Sequence, residues 1–107
     1  MKMMNAIVAG AALLVLAVPA LAADGDAAAG KQKTALCEGC HGIPGYKTAY
    51  PAVYPVPKLG GQQPTYLVRA MQAYKSGERT HPSMRGIASG LSDQDMADIA
   101  AYYGAAK

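Results

Sequence analysis

The chain has 107 residues, 51% of them hydrophobic, with two cysteines, seven tyrosines and neither tryptophan nor phenylalanine. Ten Lys and Arg against seven Asp and Glu give a formal charge of +3, and no clustered basic run interleaved with aromatics is present, so no nucleic-acid partner is expected. So short a chain is one domain that buries little surface and needs a staple; it has no internal repeat, low-complexity tract or long linker.

Met1 to Ala22 reads as a secretory leader: Lys2 in a short n-region, an apolar stretch from Ala6 to Leu21, and Ala20-Leu21-Ala22 as a small-x-small cleavage site. Cleavage after Ala22 leaves residues 23–107 as a single domain. Gly10 and Pro19 break the apolar run, which is shorter than the roughly 20 residues a spanning helix needs. No integral membrane anchor is therefore expected after cleavage. Charge is unevenly spread along the remainder: residues 41–90 hold Lys47, Lys58, Arg69, Lys75, Arg79 and Arg85 against Glu78 alone. Such a stretch can form a basic rim that steers an acidic partner, or it is an ordinary solvated surface.

Asp26 is placed to cap a first helix running through Ala27, Ala28 and Ala29 towards Cys37, interrupted only by Gly30. At its end stands Cys37-Glu38-Gly39-Cys40-His41. This CxxCH pentapeptide reads as the attachment site of a c-type haem. Each thiol adds across one vinyl group, two intervening residues let one turn of chain present both sulfurs to the same porphyrin edge, and His41 comes under the iron as proximal ligand. Two other readings are weaker. A thioredoxin-like dithiol wants a strand-helix-strand context, which is not found. A structural zinc site wants four ligands, and His81 is the only other histidine. Export fits haem attachment, because in an oxidising compartment a pair of cysteines is expected to form a disulfide unless something else consumes it.

From Gly42 to Gly61 the chain holds Pro44, Pro51, Pro55 and Pro57 with four glycines, which predicts an irregular loop. Pro64 suits the first position of a second helix, whose Leu67, Ala70, Met71 and Tyr74 fall at helical spacing before Gly77 stops it. Glu78 to Gly90 reads as a second loop carrying His81, Pro82 and Met84. Ser92 followed by Asp95 resembles a capping box, and Met96, Ile99, Ala100 and Tyr103 make one apolar stripe up to Gly104. The expectation is an all-α chain without strands.

A haem on His41 has a sixth position to fill, and Met71, Met84, Met96 and His81 are the candidates. Met71 and Met96 fall on apolar helix faces, where methionine is more often core filler. Met84 falls in the second loop beside Pro82 and Gly86, where backbone can be shaped to bring a thioether onto iron. His81 is the rival, and bis-histidine coordination would lower the potential where Met/His raises it; its plainest role is that of a polar loop residue.

In order along the chain stand CEGCH, Pro57-Lys58-Leu59-Gly60-Gly61-Gln62, Tyr66-Leu67, the Met84 loop, Leu91-Ser92-Asp93 and Ala100-Ala101-Tyr102-Tyr103. With these the chain resembles class I c-type cytochromes, and among them small bacterial ones similar to a single domain of the dihaem cytochrome c family. The resemblance implies an all-α class I cytochrome c fold, with three main helices and loops wrapped around one covalently attached haem c. It implies that Cys37 and Cys40 hold the haem and that His41 and Met84 are its axial ligands. The Pro57 carbonyl would accept a hydrogen bond from the other ring nitrogen of His41, fixing its tautomer and orientation, and Leu59 would pack on the ring. Gly30 with Tyr102 or Tyr103 matches the small-against-aromatic contact where the family's first and last helices cross. Tyr46, Gln62 and Arg69 are candidates for the propionates.

The function expected is that of an exported, periplasmic electron carrier cycling between Fe(II) and Fe(III) and transforming no substrate itself. Its partners would be a redox protein donor and acceptor, or a membrane oxidoreductase complex. One alternative is a haem subunit of a periplasmic dehydrogenase complex. The other is a haem enzyme or gas binder whose Met84 detaches, for which His81 is the only distal acid-base candidate.

Overall fold

A computed structural model describes residues 25–49 and 52–106; the leader expected over Met1 to Ala22 lies outside them. The described chain forms α1 (Ala27–Gln32), α2 (Ala35–His41), β1 (Lys47–Thr48), β2 (Tyr54–Pro55), α3 (Pro64–Ser76), α4 (Pro82–Ser89) and α5 (Asp93–Ala105). The architecture is helical, with one small antiparallel pair in which Lys47 faces Pro55 and Thr48 faces Tyr54. That pair corrects the expectation of no strands. Thr48 Oγ1 helps to close it, donating to the carbonyls of Ala52 at 3.1 Å and Tyr54 at 3.3 Å.

Asp26 caps α1 as its position suggests, its carboxylate accepting from the N–H groups of Ala28 and Ala29 at 2.9 and 3.3 Å. The helix does not run on to Cys37. Thr34, only 4% exposed, turns its hydroxyl back to the Lys31 carbonyl at 3.0 Å, while the Lys33 N–H bonds to Gly30. A side chain that takes over a backbone carbonyl competes with helix continuation. The chain therefore turns at Lys33–Thr34, and α2 starts afresh with the haem motif inside it.

Pro64 opens α3 and Gly77 closes it, in a left-handed conformation at φ 90° that only glycine adopts freely. The expected loop from Glu78 to Gly90 is largely α4, a correction with a clear cause. Pro82 takes the first helical position and His81 precedes it as an extended cap, a role the Ser, Thr, Asp and Asn preference does not suggest. The capping box on α5 is present in both directions, Asp95 N to Ser92 Oγ at 3.1 Å and Ser92 N to Asp95 Oδ2 at 2.9 Å.

α5 is the axis on which the rest is hung. α1 crosses it so closely that a Cβ at Gly30 would overlap the Asp98 carbonyl and lie 3.0 Å from the Tyr102 Cβ. Gly25 sits equally hard against the Ala97 carbonyl. The crossing is thus the glycine-on-aromatic contact expected for Gly30, with Tyr102 as its partner. Asp98, 3% exposed, pins it by accepting from Asp26 N at 2.8 Å, Gln94 Nε2 at 2.8 Å and Lys33 Nζ at 2.7 Å. On its other flank α5 packs against α3, and Leu67, Ile99, Ala100 and Tyr103 form the core cluster there.

Candidate haem-binding site

A cavity of about 280 Å³ opens between α2, α3, α4 and the segment that follows β2. Leu36, Cys37, Cys40 and His41 line it from α2, and Tyr66, Leu67, Ala70 and Met71 from α3. Met84 and Ile87 reach it from α4, Tyr54 from β2, Val56, Pro57 and Leu59 from the connecting segment, and Ile99 and Tyr103 close it from α5.

The spacing of the motif explains one wall. Cys37, Cys40 and His41 stand at i, i+3 and i+4 within a single helix, positions that share one helix face. Both cysteines are half-buried thiols. Burial, with the neighbouring Glu38 carboxylate, pushes the Cys37 thiol up, although a hydrogen bond with Tyr103 acts the other way. An activated dithiol needs a depressed pKa, so the redox-dithiol reading loses support. Among the described residues no three His, Cys, Asp or Glu side chains are gathered as a metal-ion cage.

His41 lies at the C-terminus of α2 with its Nδ1 2.7 Å from the Pro57 carbonyl oxygen. A carbonyl can only accept, so Nδ1 carries the proton and the lone pair is left on Nε2, the tautomer a metal-ligating imidazole needs. Leu59, half-buried, packs against the core cluster and lines the cavity.

Four residues competed for the remaining axial role, and three of them, Met71, Met84 and His81, line the cavity. Met96 is wholly buried in the core and lines no part of the cavity. Met71 lines it while packing on the core cluster. Met84 and His81 both line it, and the His81 ring is engaged: Nδ1 accepts from Met84 N at 3.4 Å, and the ring meets Tyr54 edge-on at 5.1 Å. Of the propionate candidates, Gln62 lines the cavity while Tyr46 and Arg69 do not.

Sequence reasoning missed which residues of the basic stretch reach this cavity: Lys58 and Arg79 line it, the latter with its guanidinium 4.7 Å above the Tyr74 ring. It also missed the Tyr103 hydroxyl, which donates to Glu38 Oε1 at 3.0 Å, joining α5 to the middle of the motif. Burial foremost, with Cys37 and Glu38 beside it, raises the Tyr103 phenol far above its ordinary range, so it stays a donor. No local pattern announces this bond, because its partners are 65 residues apart.

The residues fit a haem. The lining is largely apolar and includes Leu36, Tyr54 and Tyr66, large side chains with much open surface that a flat porphyrin would cover. Two thiols and an imidazole with a free Nε2 stand on one face, a thioether comes from another helix, and cations stand where carboxylates could be met.

The family model named Cytochrome c matches residues 27–104. The chain belongs to the cytochrome c family. This family holds haem c covalently and transfers electrons, and Cys37 and Cys40 stand at the spacing such attachment uses. The chain is 48% identical over 96 residues to cytochrome c4 of Pseudomonas aeruginosa, covering 89% of this chain and 46% of that protein. It is 48% identical over 82 residues to cytochrome c-554(548) of Halomonas halodenitrificans, covering 74% of this chain and 94% of that one. The crystal structure of reduced cytochrome c4 from Pseudomonas stutzeri superposes with a TM-score of 0.63 at 40% identity, over 78% of this chain and 46% of that chain. The chain thus spans about half the length of the cytochrome c4 relatives and matches a single domain of such a dihaem protein, with the class I cytochrome c fold.

Proposed function

We propose that this chain is an exported, periplasmic single-haem electron carrier, its haem attached to Cys37 and Cys40 and held axially by His41 and Met84. The observation that carries the reading is the convergence on one cavity of two thiols and an imidazole from one face of α2 with a thioether from α4. When bound, the haem supplies a one-electron Fe(II)/Fe(III) couple. The chain supplies the rest. Pro57 fixes the His41 ring through its Nδ1–H and so aims Nε2 into the cavity. Leu59, Leu67, Ile87 and Ile99 exclude water, and an apolar site with a thioether ligand favours the reduced state and a higher potential.

With both axial positions filled by protein, the chain would transform no substrate, and electrons would pass at an exposed haem edge. The partners would be redox proteins or a membrane oxidoreductase complex, met through small, brief interfaces. Among the described residues no helix is long and apolar enough to cross a membrane, and cleavage after Ala22 would release residues 23–107 as one domain. Co-purification with a larger protein at fixed stoichiometry would instead make the same centre the haem subunit of a dehydrogenase complex.

The test is the visible spectrum of the purified holoprotein, oxidised and reduced, with and without CO. Sharp reduced bands, a weak red thioether-to-iron band when oxidised and no CO response are expected, and Met84→Ala should abolish the red band and admit CO. A high-spin or CO-responsive wild-type spectrum would overturn the carrier reading in favour of a ligand-binding or catalytic haem.

A further inference from the structure

We propose that His81 is a positioning residue for Met84: its imidazole caps the helix that carries the thioether and, through Tyr54, ties that helix to the strand leading to the Pro57 carbonyl. The inference rests on the Met84 ligation proposed above and adds how that ligand is held.

α4 has only eight residues, too few for a helix to be stable on its own propensity. Its position must come from its ends and its contacts. The first backbone N–H groups of a helix lack intrahelical partners, and the group usually satisfied by a capping side chain is that of the second or third helical residue. In α4 the third residue is Met84 itself. Its N–H donates to His81 Nδ1 at 3.4 Å, and the next turn is closed by Arg85 N on the His81 carbonyl at 2.9 Å. A backbone N–H can only donate, so the imidazole holds its lone pair on Nδ1 and its hydrogen on Nε2.

An asparagine or serine would be the ordinary choice for a cap. Neither could do what the imidazole does on its other side, where its ring meets the edge of Tyr54 with centroids 5.1 Å apart and planes at 64°. Tyr54 pairs with Thr48 in the small sheet. Two residues later the Val56 N–H bonds to the Tyr46 carbonyl at 3.0 Å, and the next residue, Pro57, takes the His41 Nδ1–H at 2.7 Å. A continuous set of contacts therefore runs from His41 through Pro57, Tyr54 and His81 to Met84. The two proposed axial side chains, on helices more than forty residues apart in sequence, are braced by one short strap.

The strap is tested by how readily exogenous imidazole displaces the thioether in the ferric holoprotein, read by loss of the red band at one fixed pH. Removing both cap and ring in His81→Ala should raise imidazole affinity by about five- to a few hundredfold, the range expected for a lost helix cap together with a lost aromatic contact. His81→Asn, which keeps a capping acceptor, and Tyr54→Leu, which keeps the cap but loses the ring, should each show a smaller, severalfold rise. Tyr54→Phe should behave as wild type. Asp98→Asn serves as the control for mere loss of stability: it weakens the distant α1–α5 crossing and should leave imidazole affinity unchanged. Wild-type affinity in both His81→Ala and Tyr54→Leu overturns the proposal, as does wild-type behaviour of both His81→Asn and Tyr54→Leu should His81→Ala fail to fold. A rise in Asp98→Asn equal to that in His81→Ala also overturns it, because the effect would then be global. Absence of the red band in the wild type, by contrast, is the failure of Met84 ligation itself and is seen before any variant is made.

Discussion

Replacing Gly30 by alanine sets two known effects against each other. In a helix interior alanine is favoured over glycine by about 1 kcal/mol, so the local contribution is stabilising. Against it, the new Cβ would overlap the Asp98 carbonyl and approach the Tyr102 Cβ at 3.0 Å. Neither obstacle is the free end of a flexible side chain, so α1 and α5 have to move apart. Overpacking costs typically about 1–3 kcal/mol, and a clash with backbone belongs at the upper end, leaving a net loss of about 2 kcal/mol. For a domain of this size that lowers Tm by about 8–16 °C. Gly86→Ala is the matched control, since Gly86 lies within α4 with nothing within 4 Å of the place its new methyl group would take; it should be neutral or raise Tm. Thermal unfolding of the three holoproteins by circular dichroism decides the matter. Equal or higher Tm for Gly30→Ala would mean that the crossing is loose and that the close approach does not limit packing there.

Asp98→Ala should lower Tm by more than Asp93→Ala on the exposed side of the same helix, because it strips partners from Asp26 N–H and the Lys33 ammonium at once. The same cluster sets the pH dependence. Hydrogen bonds from the Ser92 backbone to Asp95 and from the Asp26 backbone to Asp98, each joined by Lys33, hold both carboxyls down at about 2 against an ordinary 3.8. A folded pKa below the unfolded one gives stability that is present above about pH 4 and is lost as pH falls towards 2. Acid titration of Tm should show that loss, and Asp98→Asn should flatten it. Lys33 is raised by its bonds to Asp98 and Asp95 above its usual 10.5, so its contribution is full below that pH and disappears as pH rises through the higher folded value; Lys33→Met should remove the alkaline limb of the same Tm curve. Tyr103→Phe keeps the ring and deletes the bond to Glu38, which should cost about 1 kcal/mol in denaturant unfolding.

The parts of the fold that were legible are those written in neighbouring residues. Ser92 with Asp95, Pro64 with Gly77, and Asp26 ahead of three alanines each specify a helix end through bonds that span only a few positions. CxxCH is equally local, since one turn of α2 brings Cys37, Cys40 and His41 to one face. What escaped depends on contacts far apart in sequence or on unusual uses of a residue. The helix around Met84 was hidden because histidine is a rare cap and the segment is punctuated by Pro82 and Gly86. The break at Thr34 depends on which carbonyl a buried hydroxyl selects. Asp98 gains its role only when Asp26 and Lys33 are brought to it across 72 and 65 residues.

Tyr103 shows why those long contacts matter to the site. Its ring belongs to the core cluster and to the cavity wall, its hydroxyl reaches Glu38 within the haem motif, and its carbonyl accepts the Gly61 N–H at 2.9 Å. One residue of α5 thereby holds both α2 and the loop that carries Pro57 and Leu59. A carrier that changes charge without changing shape needs its ligands fixed from more than one direction, so that little has to rearrange when the electron arrives. On the His41 side that fixing comes from α5 through Tyr103 and from Pro57. On the Met84 side, where no thioether bond would tie the chain to the haem, α4 rests on α3, His81 and Tyr54, which makes it the side where the proposed coordination should open first under heat, denaturant or a competing ligand.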